Sequence, residues 1–415
     1  VWAFAALGYM HQPLLAAIAS ESSRTIAQYN GQGLANIAWS YSTLSDLDEP
    51  LLAAISSAAI PTISDFKMQN LANTAWSFAN LDCLHRPLMD ALAAAALRRI
   101  TDLNPQAIAN LSWSWARLLL LDLPLLAALA SQSIATIREF QSQNIANTAW
   151  AVATLEFTNK PLLDSLSAES IRKLSEFHYQ DLSNTAWSYA RMGVADEPLL
   201  HAIAAEASAK ISDFDPLGLT NLLWAYARLE LEDEPLLKAI SAASIAKIND
   251  YAAQNLANTA WSLARLGVTD PPWLEAIAAA AIGKLSEFAA FDLSILVWAF
   301  DILDLSDLLD RILPDALGHF AKELEDEGDV GMFWFDFANV ASSRVSREAR
   351  REFDAKFEEK LLRPVSRCLA ELSDGAADRQ AAMRKWQETV DAWQIPYLGP
   401  AYSDTVLSSL GVHVL

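Results

Sequence analysis

The sequence predicts an all-α fold: a right-handed α-solenoid of about eight 37-residue antiparallel helix-pair repeats, with a helical C-terminal cap region. Three observations carry this. A tryptophan returns every 37 residues without insertion or deletion, at Trp2, Trp39, Trp76, Trp113, Trp150, Trp187, Trp224, Trp261 and Trp298. A proline keeps the same period eleven residues later, from Pro13 and Pro50 to Pro272. Between these marks there is no sustained two-residue alternation and little glycine, so no strand is expected.

The first helix of each unit, helix A, is clearest in Gln69-Asn70-Leu71-Ala72-Asn73-Thr74-Ala75-Trp76-Ser77-Phe78-Ala79. Asn104-Pro105 and Asp215-Pro216 mark its start. The Asn or Asp side chain accepts an orphan N–H of the first turn, and proline has no N–H to lose. Helix A is expected to run about 14 residues, a length set by the spacing of these marks. A short loop follows, and the acid or amide nine residues after the tryptophan (Asp48, Asp122, Asn159, Asp196, Asp233, Asp270) is placed to cap helix B. Helix B carries the periodic proline in its first turn and ends near a cation: Arg99, Lys173, Lys210, Lys247 or Lys284. An aliphatic–acid–aromatic linker such as Ile211-Ser212-Asp213-Phe214 leads to the next unit.

At 100° per residue, Leu71, Ala72, Ala75 and Ala79 share one narrow stripe of helix A, suited to close helix approach. The tryptophan lies at its edge and is read as core. Beyond it, the Gln seven before, the Asn three before and the residue four after the tryptophan form one strip, which stacking would align into ladders. The asparagines (Asn36, Asn73, Asn110, Asn147, Asn184, Asn221, Asn258) need a reason to sit in mid-helix. Two are available: satisfying backbone groups of the adjacent linker, or offering donor and acceptor to a ligand. The glutamines (Gln32, Gln69, Gln106, Gln143, Gln180, Gln254) admit the same pair of roles. The plus-four position varies (Thr43, Asn80, Arg117, Thr154, Arg191, Arg228, Arg265), as a modular reader or a solvated face would. The cations of helix B are expected to oppose the helix dipole and project into water, facing a rail of acids at Asp65, Asp102, Glu139, Glu176, Asp213, Asp250 and Glu287.

Composition narrows function. The net charge is −21, with residues 1–300 carrying 17 Lys+Arg against 29 Asp+Glu, so no general attraction to nucleic acid exists. The chain holds two cysteines, Cys83 and Cys368, far apart, which match neither a disulfide framework nor a zinc site. Its six histidines are scattered, and no phosphate-cradling glycine loop occurs, so no enzyme, cofactor, metal or small-molecule substrate is expected. Asp301, Asp304, Asp307 and Asp310 spiral around a helix and read as solvated surface. No apolar run is long enough for a membrane span.

Domain organisation is expected as a solenoid over 1–305 and a helical region of unassigned role over 306–415. The chain opens at Val1 inside the second half of a helix A, so the first repeat is expected to be truncated. The period fails after Trp298, where Ile295 replaces the ladder asparagine and Leu309 the proline, as a capping unit requires. Residues 316–395 read as charged helix, and 395–402 as a turn-rich tail.

The Gln-Asn-Leu-Ala-Asn-Thr-Ala-Trp-Ser pattern, the 37-residue period and the Pro-Leu-Leu start of helix B resemble the heptatricopeptide repeat family, relatives of octotricopeptide and pentatricopeptide proteins. The resemblance spans residues 1–305. It implies a mitochondrial or plastid protein binding single-stranded RNA in processing, stability or translation. The small nuclease-like RAP domain that ends many members has no recognisable counterpart here. On that resemblance the RNA-contacting set is Gln69, Asn73, Gln106, Asn110, Gln143, Asn147, Gln180, Asn184, Gln254 and Asn258 for bases, with Arg117, Arg191, Arg228 and Arg265 for phosphates or stacking. The alternative is a protein-interaction scaffold that holds an extended peptide or partner subunit, which the acidity favours.

Overall fold

The computed structural model describes residues 1–305 together with Asp307, Leu308 and Ile312. The calls on 306–415, including the charged helices, the tail, Leu309, Asp310 and Cys368, otherwise lie outside the described residues. The chain divides into two compact units, Val1–Ala280 and Ala281–Leu415.

Every described regular element is helical, and the helices alternate A, B along the chain. They are α1 (Trp2–Ala6), α2 (Gln12–Arg24), α3 (Gly31–Thr43), α4 (Glu49–Thr62), α5 (Met68–Asn80) and α6 (Arg86–Arg98). Then come α7 (Pro105–Arg117), α8 (Leu123–Thr136), α9 (Ser142–Thr154), α10 (Lys160–Lys173), α11 (Tyr179–Arg191) and α12 (Glu197–Ala209). The series closes with α13 (Pro216–Arg228), α14 (Glu234–Lys247), α15 (Ala253–Leu266), α16 (Pro271–Gly283) and α17 (Ala290–Ile302). Odd numbers are A helices and even numbers B helices. Within Val1–Ala280, A helices pack on the A helices of adjacent repeats and B on B, while each A helix also meets the B helix after it. This is the all-α helical-repeat solenoid that the period predicts.

Capping explains the helix starts. Asp48, Asp122, Asn159, Asp196 and Asp233 each accept the N–H three residues on, at 2.9–3.1 Å, with the periodic proline in the first turn. Helix A is capped in one of two ways. Asn30, Asn104 and Asp215 accept from Gly33, Ala107 and Gly218 at 2.7–2.9 Å. In the other copies the side chain six before the tryptophan reaches back: Asn70, Asn144, Asp181 and Asn255 accept the N–H of Lys67, Gln141, His178 and Ala252.

The alanine stripe is core as expected, with Leu71, Ala72, Ala75 and Ala79 buried. The aromatic core differs from expectation. The buried core side chain two residues after the tryptophan is a ring in five A helices, as Tyr41, Phe78, Trp115, Tyr189 and Tyr226, while the periodic tryptophans from Trp39 to Trp261 are partly exposed. The stripe centres two positions round from the tryptophan, which places the latter at the surface edge. The hydroxyls of Tyr41, Tyr189 and Tyr226 donate to the carbonyls of Leu15, Leu163 and Leu200 at 2.5–2.6 Å, tying each A helix to the B helix before it. Burial pushes the Tyr41 hydroxyl up to about 12 and those of Tyr189 and Tyr226 higher still.

The linkers also carry more structure than their sequence announces. Each winds into a 3₁₀ turn, such as Ile63–Asp65, Ile137–Glu139 or Ile211–Asp213. The following aromatic (Phe66, Phe140, Phe177, Phe214 or Tyr251) is fully buried. In the second unit the described part comprises the turn Leu285–Glu287, buried Phe288 and helix α17.

Candidate functional site

The strip predicted on helix A forms one surface. Gln69, Gln106, Gln143, Gln180 and Gln254 are exposed, and Asn73, Asn110, Asn147, Asn184 and Asn258 are partly exposed. Repeats stack A on A, so equivalent residues of successive copies lie side by side. The indoles show this directly. Trp76–Trp113 and Trp113–Trp150 ring centroids are 6.2 Å apart, tilted by 31–32°. Trp187–Trp224 and Trp224–Trp261 follow at 6.2 and 6.4 Å. The described residues therefore carry two runs of three neighbouring, partly exposed indoles.

Beside them, none of the ladder asparagines from Asn36 to Asn258 has a hydrogen bond to its side-chain amide among the described residues. The linker-satisfying role considered from sequence is filled elsewhere. It falls to the other Asn of the Gln-Asn-Leu-Ala-Asn motif, at Asn70, Asn144 and Asn255, and to Asp181. The glutamine side chains are equally free of partners. Each repeat thus leaves one or two uncommitted amides, donor and acceptor together, next to a partly exposed indole.

The plus-four side chains reach back to the preceding repeat. The Asn80 amide donates to the Ser42 carbonyl at 3.1 Å and its hydroxyl at 2.9 Å. Arg117 pairs with Asp82 at 2.6 Å, and Arg265 pairs with Glu230. Arg191 donates to the Ala153 carbonyl at 3.1 Å, lies 3.5 Å from Glu156, and stands 5.5 Å above the Trp187 ring. Arg228 has no hydrogen bond or ion pair among the described residues. Variation at plus four therefore follows, in part, the residue it meets one repeat back.

Four of the cations ending helix B reach back to backbone carbonyls, a contact that the dipole argument does not supply. Arg99 donates to the Phe66 carbonyl at 3.0 Å. Lys173 reaches the Phe140 carbonyl, Lys210 that of Phe177 at 2.8 Å, and Lys247 those of Phe214 and Ser212. Each bridges 33 residues and ties the end of one B helix to the linker before it. The facing acids, by contrast, are exposed from Asp65 to Glu287. No periodic signal in the cations alone could reveal these bridges, since the acceptors are backbone carbonyls.

One buried carboxylate stands out on the B side. Glu169 of α10 is held by Arg172 at 3.0 Å, by Arg138 of the preceding linker at 3.3 Å and by Lys173 at 3.5 Å. Its carboxyl lies below the usual carboxylate range, chiefly through the Arg172 hydrogen bond and against its own burial. Among the described residues no His/Cys/Asp/Glu group could hold a metal ion, and no helix is long and apolar enough to cross a membrane.

Fold and surface together define a helical-repeat solenoid with a register-aligned ladder of indoles and amides. The chain belongs to the RNA-editing substrate-binding complex 6 protein family, whose profile matches residues 1–194, 124–271 and 171–319. The overlapping matches reflect the internal repeat. No curated protein matches the chain.

Proposed function

We propose that this chain is a non-catalytic helical-repeat protein that binds single-stranded RNA along its A helices, in RNA editing or processing within an organelle. The observation that carries this is the surface of partly exposed indoles, each next to a side-chain amide with no partner in the protein. Aromatic rings and free amides are the two chemistries that take unpaired bases: stacking contributes about 1–3 kcal/mol per base, and amides meet base edges. The family name, which joins RNA editing to substrate binding in a complex, supports the same assignment, as does the heptatricopeptide-like pattern of helix A. The spacing of one strip per repeat suits about one base per repeat, as in modular helical-repeat readers.

Titration of the full chain with a random single-stranded RNA pool tests this. Binding with quenching of tryptophan fluorescence, weakened by Asn147→Ala and Asn184→Ala, is the expected result. No retention at low salt overturns it.

A second reading has its own observation. Leu47, Leu84 and Leu121, each eight residues after the tryptophan, are 51%, 49% and 62% exposed and recur in register on the A–B loops. Such an apolar row suits a protein partner. Capture of a partner that survives added salt and is lost on Leu84→Lys with Leu121→Lys would favour the scaffold role.

A further inference from the structure

A pairing rule runs through the array. Where the plus-four residue is arginine, it meets an acid six after the tryptophan in the repeat before, 35 positions earlier, in three of four copies. That plus-six residue ends the A helix with positive φ in every described copy: Gly8, Ser45, Asp82, Leu119, Glu156, Gly193, Glu230, Gly267 and Asp304. Three arginines meet three acids under this rule, Arg117 with Asp82, Arg191 with Glu156 and Arg265 with Glu230. The fourth meets none. Arg228 falls opposite Gly193, and its guanidinium is left without a hydrogen bond or ion pair among the described residues.

Its position makes that vacancy consequential. Arg228 follows Trp224 by four residues and Asn221 by seven, so all three share one face of α13. Trp224 is the middle ring of the Trp187–Trp224–Trp261 run. A free, always-charged fork of donors therefore stands beside the centre of an indole run and an uncommitted amide, the combination that holds a nucleotide by base and phosphate together. The plain alternative is that Arg228 only complements the C-terminal dipole of its own helix, which would leave ligand binding indifferent to it.

We propose that Arg228 is the backbone-phosphate anchor of the ladder, and that the plus-six carboxylates Asp82, Glu156 and Glu230 occupy the equivalent arginines as internal phosphate mimics. This rests on the RNA reading given above. Under it, the array has one cationic contact where its arginine count suggests four, and the pattern of plus-six residues decides where the RNA backbone is gripped.

The test uses the full chain and a labelled single-stranded RNA oligonucleotide, titrated over a series of salt concentrations. Arg228→Ala should weaken binding roughly tenfold and flatten the log–log salt slope by about 0.7, the share of one phosphate on a single strand. Gly193→Glu should produce the same loss with Arg228 still present. Glutamic acid occupies this backbone position at Glu156 and Glu230, and a Cβ at Gly193 meets nothing within 4 Å. Gly193→Gln, equal in strain but uncharged, should bind like the wild type. Glu230→Gln should release Arg265 and strengthen binding several-fold, with a slope steeper by about 0.7. Wild-type affinity and slope in both Arg228→Ala and Gly193→Glu would overturn the proposal and leave the RNA reading intact. Failure of the unmutated chain to bind RNA would instead remove the reading on which it rests.

Discussion

Trp113 and Trp115 lie two residues apart on α7 but belong to different surfaces. Trp115 is 2% exposed within the core, whereas Trp113 lies between Trp76 and Trp150 at the edge. Truncating the buried ring should cost about 3–5 kcal/mol, as large-to-small core substitutions do. Thermal melts of Trp115→Ala should therefore show a far larger loss than those of Trp113→Ala, and RNA affinity should fall mainly in the latter. Equal destabilisation would return the periodic tryptophan to the core. The threonines two before the tryptophan allow a similar contrast. The Thr148 hydroxyl is buried without a partner, while that of Thr259 donates to the Asn255 carbonyl at 2.7 Å. A buried unmet hydroxyl costs about 1–3 kcal/mol, so Thr148→Val should be neutral or stabilising and Thr259→Val destabilising. A stability loss in Thr148→Val as large as in Thr259→Val would show that its hydroxyl is satisfied after all.

At the scale of elements, the unit of construction is a helix pair plus the devices that end each helix and bind it to its neighbour. The A helix closes on a positive-φ residue, and Leu119 occupies that place with φ 51° and an exposed side chain. A left-handed backbone costs a non-glycine residue about 1–2 kcal/mol. Leu119→Gly should accordingly raise stability by about 1 kcal/mol, even after glycine's greater freedom in the unfolded chain is counted. A lower melting temperature would contradict this. The Glu169 cluster joins α10 to the linker before it through Arg138. Because the folded state lowers the Glu169 pKa, its contribution is complete above the unfolded carboxylate range and is lost as pH falls through the depressed folded value. The stability difference between wild type and Glu169→Gln should therefore shrink on acidification, and a difference constant with pH would show that the ion pairs contribute nothing. Helix pairs, caps and the small-residue stripe were legible in sequence, because each follows from a local rule of spacing or propensity. The inter-repeat ties were not. Lys210 grips a carbonyl 33 residues back and Arg265 a carboxylate 35 back, and such partners become visible only once the stacking register is known. The two asparagines of one motif likewise look alike in sequence, yet Asn70 caps a backbone N–H and Asn73 has no partner.

At the scale of the whole molecule, a net charge of −21 stands against an RNA ligand, and the cations at the two periodic positions show how little of the positive charge is left for one. The B-helix cations from Arg99 to Lys247 are spent on linker carbonyls, and three plus-four arginines are spent on acids. Of the ladder's cationic positions, only Arg228 is uncommitted among the described residues. On the proposed RNA reading, counterion release at the ladder has little to act on, and binding should come from stacking on six indoles and from amide contacts, which salt screens weakly. Under the proposed RNA reading, the acidic remainder repels nucleic acid at large, so only strands able to engage the ladder should be held, and duplex RNA, whose bases are already stacked and paired, should be refused. This yields a quantitative expectation for the intact chain. The slope of log affinity against log salt should lie near about −0.7, one phosphate on a single strand, and not near about −3, as four free arginines would give. A slope close to the steeper value would mean that the Arg117, Arg191 and Arg265 pairs open on binding, and that the carboxylates one repeat back give way to the strand.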